Sequence, residues 1–288
     1  VYLMDKGGDE NYHLYAADLD GTNQKDLTPF EGVKANFLEL LKEDKDHIII
    51  SLNKNNPQVF DPYKVNVATG EIVQLYNNED IANPIMGYNF DKNGNLKAFT
   101  RLRDGVEQDL YYANEAGKFE VVKSLNWKEA FAILNFDYAT ENPDDAYVVS
   151  NLNSDKSEIV LYDFKQNKEL KKVFSNDNYD VSNLSVSRKR NYELDYFQYE
   201  GEKSIIVPVS NYYKKLHKKF EKEFKGKQFG IVDATDDENN YLLVVSSDKL
   251  YGVYYSYDVQ KDEFQLVYNL MPQLKEQDMA EMRPITFK

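Results

Sequence analysis

One short pattern returns along this chain at a nearly constant interval: a strand-like run, an Asp or Asn, a turn, and a second strand-like run. Its centres are Asp18 in YHLYAADLDGTNQKDLTPF (12–30), Asn66 in YKVNVATGEIVQLY, Asn114 in YYANEAGKFEVV, Asp163 in VLYDFKQNKELKKVF, Asn211 at the end of KSIIVPVSN, and Asp258 in YSYDVQKDEFQLVY. Successive centres lie 48, 48, 49, 48 and 47 residues apart, and a Tyr stands three positions earlier at Tyr15, Tyr63, Tyr111 and Tyr255. Asp-Gly between two such runs, as at Asp20-Gly21, is a strong hairpin signal, because the turn needs backbone angles that Gly tolerates. Each period has room for two more strands, such as IMGYNF (85–90) with LKAFTRL (96–102) and LSVS (184–187) with YELDYFQY (192–199).

Four short strands in a period of about 40–50 residues is the signature of a β-propeller blade. The expected fold is therefore all-β: a β-propeller over residues 1–270 with six blade repeats of about 48 residues around a central channel. Only 17 residues precede Asp18, where about 34 are expected by analogy with the other repeats. The first blade is expected to lack its innermost strand, and the six repeats to be part of a seven-bladed ring. Because Val1-Tyr2-Leu3-Met4 reads as a strand already under way, the chain is expected to be a piece of a longer protein.

Two stretches carry helix-forming residues. FLELLKED (37–44) sits where an innermost strand belongs and is read as a strand. NYYKKLHKKFEKEFKG (211–226) is read as a true helix near 212–225, inserted where the fifth blade's outer strand would lie. Asn211 can cap it, Tyr212, Leu216, Phe220 and Phe224 fall every fourth residue on one face, and Gly226 ends it. Its six lysines could suit an acidic partner, but a solvated face is the simpler reading.

Composition narrows the function classes. A net charge of −14 argues against a phosphate backbone or an anionic membrane as partner, since both call for clustered positive charge. No apolar run approaches the roughly 18 residues that span a bilayer. With no cysteine there is no disulfide, thiolate metal site or Cys nucleophile. An oxidising compartment is permitted without being implied; the compartment is not fixed by the sequence, with periplasmic or secreted slightly favoured over cytoplasmic.

The order of features resembles a known family. SRKRN (187–191) in the penultimate blade followed by the YYKKLHKKFEKEF helix, then SSDKLYGVYYSYD (246–258) and the exit segment LMPQLKEQDMAEMRPITF (270–287), is similar to the N-terminal propeller of the prolyl oligopeptidase family of serine peptidases. The acylaminoacyl- and dipeptidyl-peptidase-like members are the nearest in pattern. The resemblance spans nearly the whole chain and implies that residues 271–288 are a linker leading into an α/β-hydrolase domain of the same parent chain. It further implies a non-catalytic propeller that covers the active site and gates or orients short peptides.

Catalysis in that family belongs to the hydrolase domain, with a G-x-S-x-G nucleophile followed by an acid and a His. This chain has no G-x-S-x-G, and His13, His47 and His217 stand beside no nucleophile motif. No catalytic residue and no cofactor are expected here. DLDG (18–21) and DKNG (91–94) faintly resemble calcium loops, but the distal Glu is missing at its required spacing, so they read as hairpin turns. The acidic stretches ENPDD (141–145) and DATDDENN (233–240) read as solvated loops. Arg188 and Arg190, in a loop of the fifth blade, and Arg101 and Arg103, at the end of a strand of the third, are the candidate substrate or interdomain contacts. A guanidinium there can hold a peptide carboxylate, a carbonyl or a neighbouring domain's carboxylate in a fixed fork; an ion pair within the propeller is the bland alternative. Other readings for the whole chain are a free-standing scaffold for a protein or glycan and, without support from any carboxylate pair, an enzyme built on the channel.

Overall fold

In the computed structural model, which describes residues 1–287, nearly all regular structure is antiparallel strand. Six small sheets follow one another along the chain, and these are the six blades of a β-propeller, as the repeat predicts. The first sheet has β1 (Tyr2–Met4), β2 (His13–Ala16) and β3 (Lys25–Asp26); the second β4 (Ala35–Leu40), β5 (His47–Leu52), β6 (Asp61–Asn66) and β7 (Ile72–Gln74). The third has β8 (Ile85–Phe90), β9 (Leu96–Arg103), β10 (Glu107–Ala113) and β11 (Phe119–Leu125). The fourth has β12 (Phe131–Phe136), β13 (Asp145–Ser150), β14 (Glu158–Asp163) and β15 (Lys168–Phe174). In the fifth, β16 (Val181–Ser187), β17 (Glu193–Glu200) and β18 (Ser204–Pro208) are followed by the helix α1 (Asn211–Glu223). The sixth has β19 (Gln228–Ala234), β20 (Asn240–Ser247), β21 (Leu250–Asp258) and β22 (Glu263–Asn269).

The repeated Asp or Asn has a local cause. Asn66 Oδ1 accepts the backbone N–H groups of Ala68 and Thr69, Asn114 Oδ1 those of Ala116 and Lys118, and Asp258 Oδ1 those of Gln260 and Lys261. Each side chain therefore closes the turn from third to fourth strand, a role that short polar side chains fill best. In the first sheet β2 occupies the third-strand place, so the strand that is missing is the innermost one, as expected from the short N-terminal stretch. FLELLKED contributes to β4, the innermost strand of the second sheet.

The chain divides into two compact units. The first comprises Val1–Phe131 with Phe164–Asn167, the second Ala132–Asp163 with the residues from Lys168 onward. In the first unit, Leu14, Leu27, Ile48, Ile50, Leu52 and Val65 form a core between the first and second sheets, and Leu41, Ile49 and Phe90 a smaller one between the second and third. In the second unit, Ile159, Val181, Leu184 and Phe197 join the fourth and fifth sheets. Tyr213, Leu216, Phe220 and Phe224 of the helical segment pack with Tyr241, Leu243, Val245 and Tyr257 of the sixth.

The helix differs from expectation at its start. Ser210, not Asn211, is the cap: its Oγ accepts the N–H of Tyr213 at 2.9 Å. The buried stripe consequently begins at Tyr213, whereas Tyr212 is half-buried. Both residues are good caps; Ser210 wins because it is itself buried and anchored by a second bond, described below. At the other end Phe224 closes the helix and Gly226 takes φ +81° in the following turn.

Beyond β22 a single 3-10 turn (Glu276–Asp278) is followed by irregular chain up to 287. Ile285 and Phe287 are exposed and lie in no strand. Pro284, which has no N–H to give to a ladder, sits between Arg283 and Ile285 and works against strand pairing there.

Phe220 is fully buried among Phe229, Tyr257 and Phe264 with edge-on ring contacts. Phe220→Ala is expected to cost about 3–5 kcal/mol, read as a lowered urea midpoint by circular dichroism. Met282→Ala, at an exposed site, is expected to change stability by less than about 0.5 kcal/mol. Equal shifts for the two variants would contradict the packing described.

Candidate functional site

The SRKRN turn joins β16 to β17 through two consecutive left-handed residues, Asn191 (φ 54°) and Tyr192 (φ 58°). Such a conformation is uncommon for a bulky residue and persists where surroundings hold it. Backbone bonds from Asn191 N–H to the Arg188 carbonyl and from Glu193 N–H to the Arg190 carbonyl, both 3.2 Å, close the turn, and the Tyr192 ring packs 4.8 Å from that of Tyr138. The turn is tied to its surroundings by Arg190. Its N–H donates to Ser187 Oγ at 3.1 Å, and its guanidinium reaches three carboxylates. Nε donates to Glu193 at 2.9 Å, Nη2 to both oxygens of Asp195 at 2.5 and 2.6 Å, and Nη1 to Glu238. The guanidinium also lies 4.0 Å from the centre of the Tyr212 ring, within cation–π range.

The network extends both ways. Ser210 Oγ donates to Asp195 at 2.6 Å while capping α1, and the backbone carbonyl of Asp195 accepts from Val209 N–H at 2.7 Å. Ser187 Oγ donates to the other oxygen of Glu238. Tyr212 Oη bonds Tyr241 Oη at 3.1 Å. Arg188 pairs with Asp236 at 2.6 Å, and Lys189 Nζ donates to the carbonyl of Asp237. Burial works against the charge of Arg190, but the bonds to Asp195 and Glu193 and the nearby Glu238 outweigh it and hold the guanidinium charged above its ordinary range. Burial pushes the Asp195 carboxyl up; the bonds from Ser210 and Arg190 pull it back only in part.

Sequence reading treats DATDDENN as a solvated loop. The structure shows instead that Asp236, Asp237 and Glu238 of that loop are the partners of Arg188, Lys189 and Arg190. Each pair is 48 residues apart in sequence, which is the blade period, so the two loops are the same turn in successive repeats. The spacing was the signal that could have revealed them.

Arg101 and Arg103 lie in the first unit, on β9, each in its own ion pairs. Arg103 Nη1 is 2.5 Å from Glu107 and its Nε 3.1 Å from Asp109. Arg101 Nη1 is 3.5 Å from Asp80, its guanidinium stands 5.8 Å from the Phe99 ring centre, and its buried Nε has no hydrogen-bond partner. The histidines each face a carboxylate: His13 with Asp26 at 2.8 Å, His47 with Asp44 at 2.9 Å, His217 with Glu221 at 3.5 Å. The hydrogen bond from Lys64 and then that from His47 pull Asp44 down to about 2. Burial lowers His217 against the opposing pull of Glu221. The DLDG and DKNG carboxylates serve their own turns, Asp20 taking the Thr22 N–H and Asp91 those of Asn93 and Asn95. Among the described residues no group of three or more His, Cys, Asp or Glu is placed to hold a metal ion.

No protein-family model matches the chain. Over 129 residues it is 33% identical to dipeptidyl aminopeptidase BIII of Pseudoxanthomonas mexicana, a stretch covering 45% of this chain and 18% of that protein. Among solved structures it resembles a prolyl endopeptidase with a TM-score of 0.58 at 12% identity, over 93% of this chain and 40% of that one. It also resembles prolyl oligopeptidase B of Galerina marginata, with a TM-score of 0.55 at 13% identity over 96% and 41% of the two chains. The likeness to the solved structures is one of fold, a β-propeller like those that these two prolyl peptidases carry. The sequence relative is a dipeptidyl aminopeptidase. The chain spans less than half the length of each of these three proteins.

Arg190→Met keeps most of the side chain's bulk and leaves Asp195 and Glu238 without their cation, a change expected to cost about 3 kcal/mol. Asp195 already holds its proton more readily folded than unfolded, since burial raises it, and losing Arg190 raises it further. The penalty should therefore be full at neutral pH and shrink as pH falls through that raised value toward the ordinary Asp range. Urea midpoints of both proteins at pH 7 and pH 5 measure it. A penalty that grows on acidification would contradict the assignment.

Proposed function

We propose that this chain is the non-catalytic propeller domain of a dipeptidyl-aminopeptidase-like serine peptidase, which covers the active site and gates or orients short peptide substrates. The observation that carries the reading is the 33% identity to a dipeptidyl aminopeptidase on a fold shared with prolyl endopeptidases. A further structure of the Galerina marginata enzyme, similar to this chain with a TM-score of 0.50, holds a 25mer macrocyclization substrate, which agrees with peptides as the ligand class.

On this reading residues 271–288 lead into the α/β-hydrolase domain of the same parent chain, which is the partner. The exposure of Met282 (79%), Ile285 (82%) and Phe287 (87%) supports it, since clustered exposed apolar side chains mark a surface that meets another. Of the four candidate arginines, Arg188 and Arg103, whose side chains are 31% and 38% exposed, are the more accessible to a substrate or the partner domain. Arg190 and Arg101, at 20% and 21%, position their surroundings.

The chain alone is expected to show no turnover of chromogenic dipeptide substrates above background. A hydrolase domain taken from the same reading frame, added in trans, is expected to associate and to shield residues 271–287 from proteolysis. Turnover abolished by a serine-directed inhibitor would overturn the non-catalytic assignment. A tail already protected in the chain alone, with no association at high micromolar concentration, would favour a free-standing scaffold.

A further inference from the structure

The fifth sheet is one strand short, and the strand left at its edge is apolar. β18 reads Ser-Ile-Ile-Val-Pro and pairs with β17 without a register shift from Tyr196–Pro208 to Glu200–Ser204. Its backbone orientation follows from both ends of the ladder. Val209 N–H donates to the Asp195 carbonyl at 2.7 Å, and the Lys203 carbonyl accepts from Gly201 N–H at 2.9 Å. Alternate residues of an antiparallel strand turn N–H and C=O to the same side. Residues 205 and 207 therefore face β17, while Ser204, Ile206 and Pro208 point their backbone groups outward, where no strand pairs among the described residues.

The helix that follows is not a strand and supplies no ladder partner. Its Tyr213, Leu216 and Phe220 pack on the sixth sheet and also against Tyr196 and Ile206 of the fifth, and beside these contacts a cavity of ≈ 330 Å³ remains between β18, α1 and β19, lined by Ile205, Ile206, His217, Glu221, Phe224 and Phe229. Lys203 and Lys227 are among its lining residues; Lys214 and Lys218 belong to α1, and Lys225 follows its end, next to the lining residue Phe224. Lys227 already holds a carboxylate, Glu276, at 2.6 Å. Lys203, Lys214, Lys218 and Lys225 are exposed and form no ion pair among the described residues. In a chain of net charge −14 this is a local reversal of sign.

We propose that the free edge of β18 and the lysine-rich flank of α1 form a docking groove for an extended acidic peptide, which adds as the fourth strand of the fifth sheet. Main-chain bonds to an unpaired edge supply affinity in such complexes, and side-chain pockets supply selectivity. Charge chooses the occupant. A second copy pairing β18 to β18 would bring two sets of unpaired lysines together, whereas carboxylates on an incoming strand complement them. Pro208 and the short length of β18 limit uncontrolled pairing; they confine the site to the N–H groups of Ser204 and Ile206 and the neighbouring carbonyls. The groove lies within the second unit and does not rest on the peptidase reading.

The probe is a fluorescent Glu-Val-Glu-Val-Glu-Val peptide, with an all-Lys counterpart and two versions N-methylated at alternate residues, titrated by polarisation into the whole chain. The acidic probe should bind saturably and more weakly at high salt. One methylated version should lose about tenfold or more in affinity and the other little, because only one set of N–H groups faces β18. A Lys214→Glu, Lys218→Glu, Lys225→Glu variant, altered only at exposed positions, should bind about tenfold more weakly. Equal binding of both methylated probes, equal binding of the Lys counterpart, or no saturation at millimolar probe would overturn the proposal. So would a concentration-dependent dimer, seen by sedimentation, that the probe displaces, since the occupant would then be a second copy.

Discussion

A sheet whose middle strands are apolar on both faces cannot stand alone in water, and the rest of this structure depends on that constraint. β14 is buried at all six of its positions and β5 at five of six. A strand exposed on one face alternates apolar with polar, whereas one covered on both reads as a continuous apolar run. Each such sheet needs a neighbour against each face, and a repeat that delivers one four-stranded sheet every 48 residues or so meets the need. The buried polar groups fit the same logic. Glu158, at the start of β14, is paired with Lys172 at 2.6 Å. At the other end Asp145 faces Asp163 across the ladder, and burial, then that second carboxylate, push the Asp145 carboxyl up.

What the sequence disclosed follows from what is local. The turn after the third strand is closed by a side chain two to four residues from its partners, so the Asp or Asn that does this recurs at a fixed place and the period can be read directly. The helix announces itself because its aromatic face is spaced three and four residues apart. The cap is different: Ser210 and Asn211 are adjacent and equally suited by type, and only the Asp195 carboxylate 15 residues earlier, at 2.6 Å from Ser210 Oγ, decides between them. Likewise SRKRN and DATDDENN each look like solvated loops when read alone. Their pairing depends on two successive repeats placing equivalent turns side by side, a fact carried by the offset of 48 residues and by nothing in either stretch. The interrupted strand order of the fifth sheet is legible, but the direction in which the freed backbone groups point is not, because it rests on the parity of a ladder.

The fifth sheet is also where the electrostatics concentrate. α1 begins with no acidic residue in its first turn, although carboxylates there normally favour the helix's positive end. Asp195 takes that part from the neighbouring strand: its carboxylate accepts from Ser210 Oγ, whose lone pair in turn receives the N–H of Tyr213. A buried carboxylate so used needs a counter-charge of its own, or it would prefer to be neutral. Arg190 supplies it, and by the same guanidinium also satisfies Glu193 and Glu238.

That sharing explains why the position calls for arginine. Three carboxylates from β17 and the loop before β20 converge on one cation from different directions, and the Tyr212 ring lies against its face at 4.0 Å. A planar guanidinium offers five N–H donors in fixed directions and a weakly hydrated face for stacking; an ammonium on a flexible stem offers three donors at a single point. With lysine, at least one of Glu193, Asp195 and Glu238 would lose its partner, and Asp195 is the one least able to recover it from water, being 8% exposed. Through Ser210 the loss would pass to the first turn of α1, and through Glu238 to the loop of the sixth sheet, so one side chain couples the helix that departs from the repeat to the fifth and sixth sheets on either side of it.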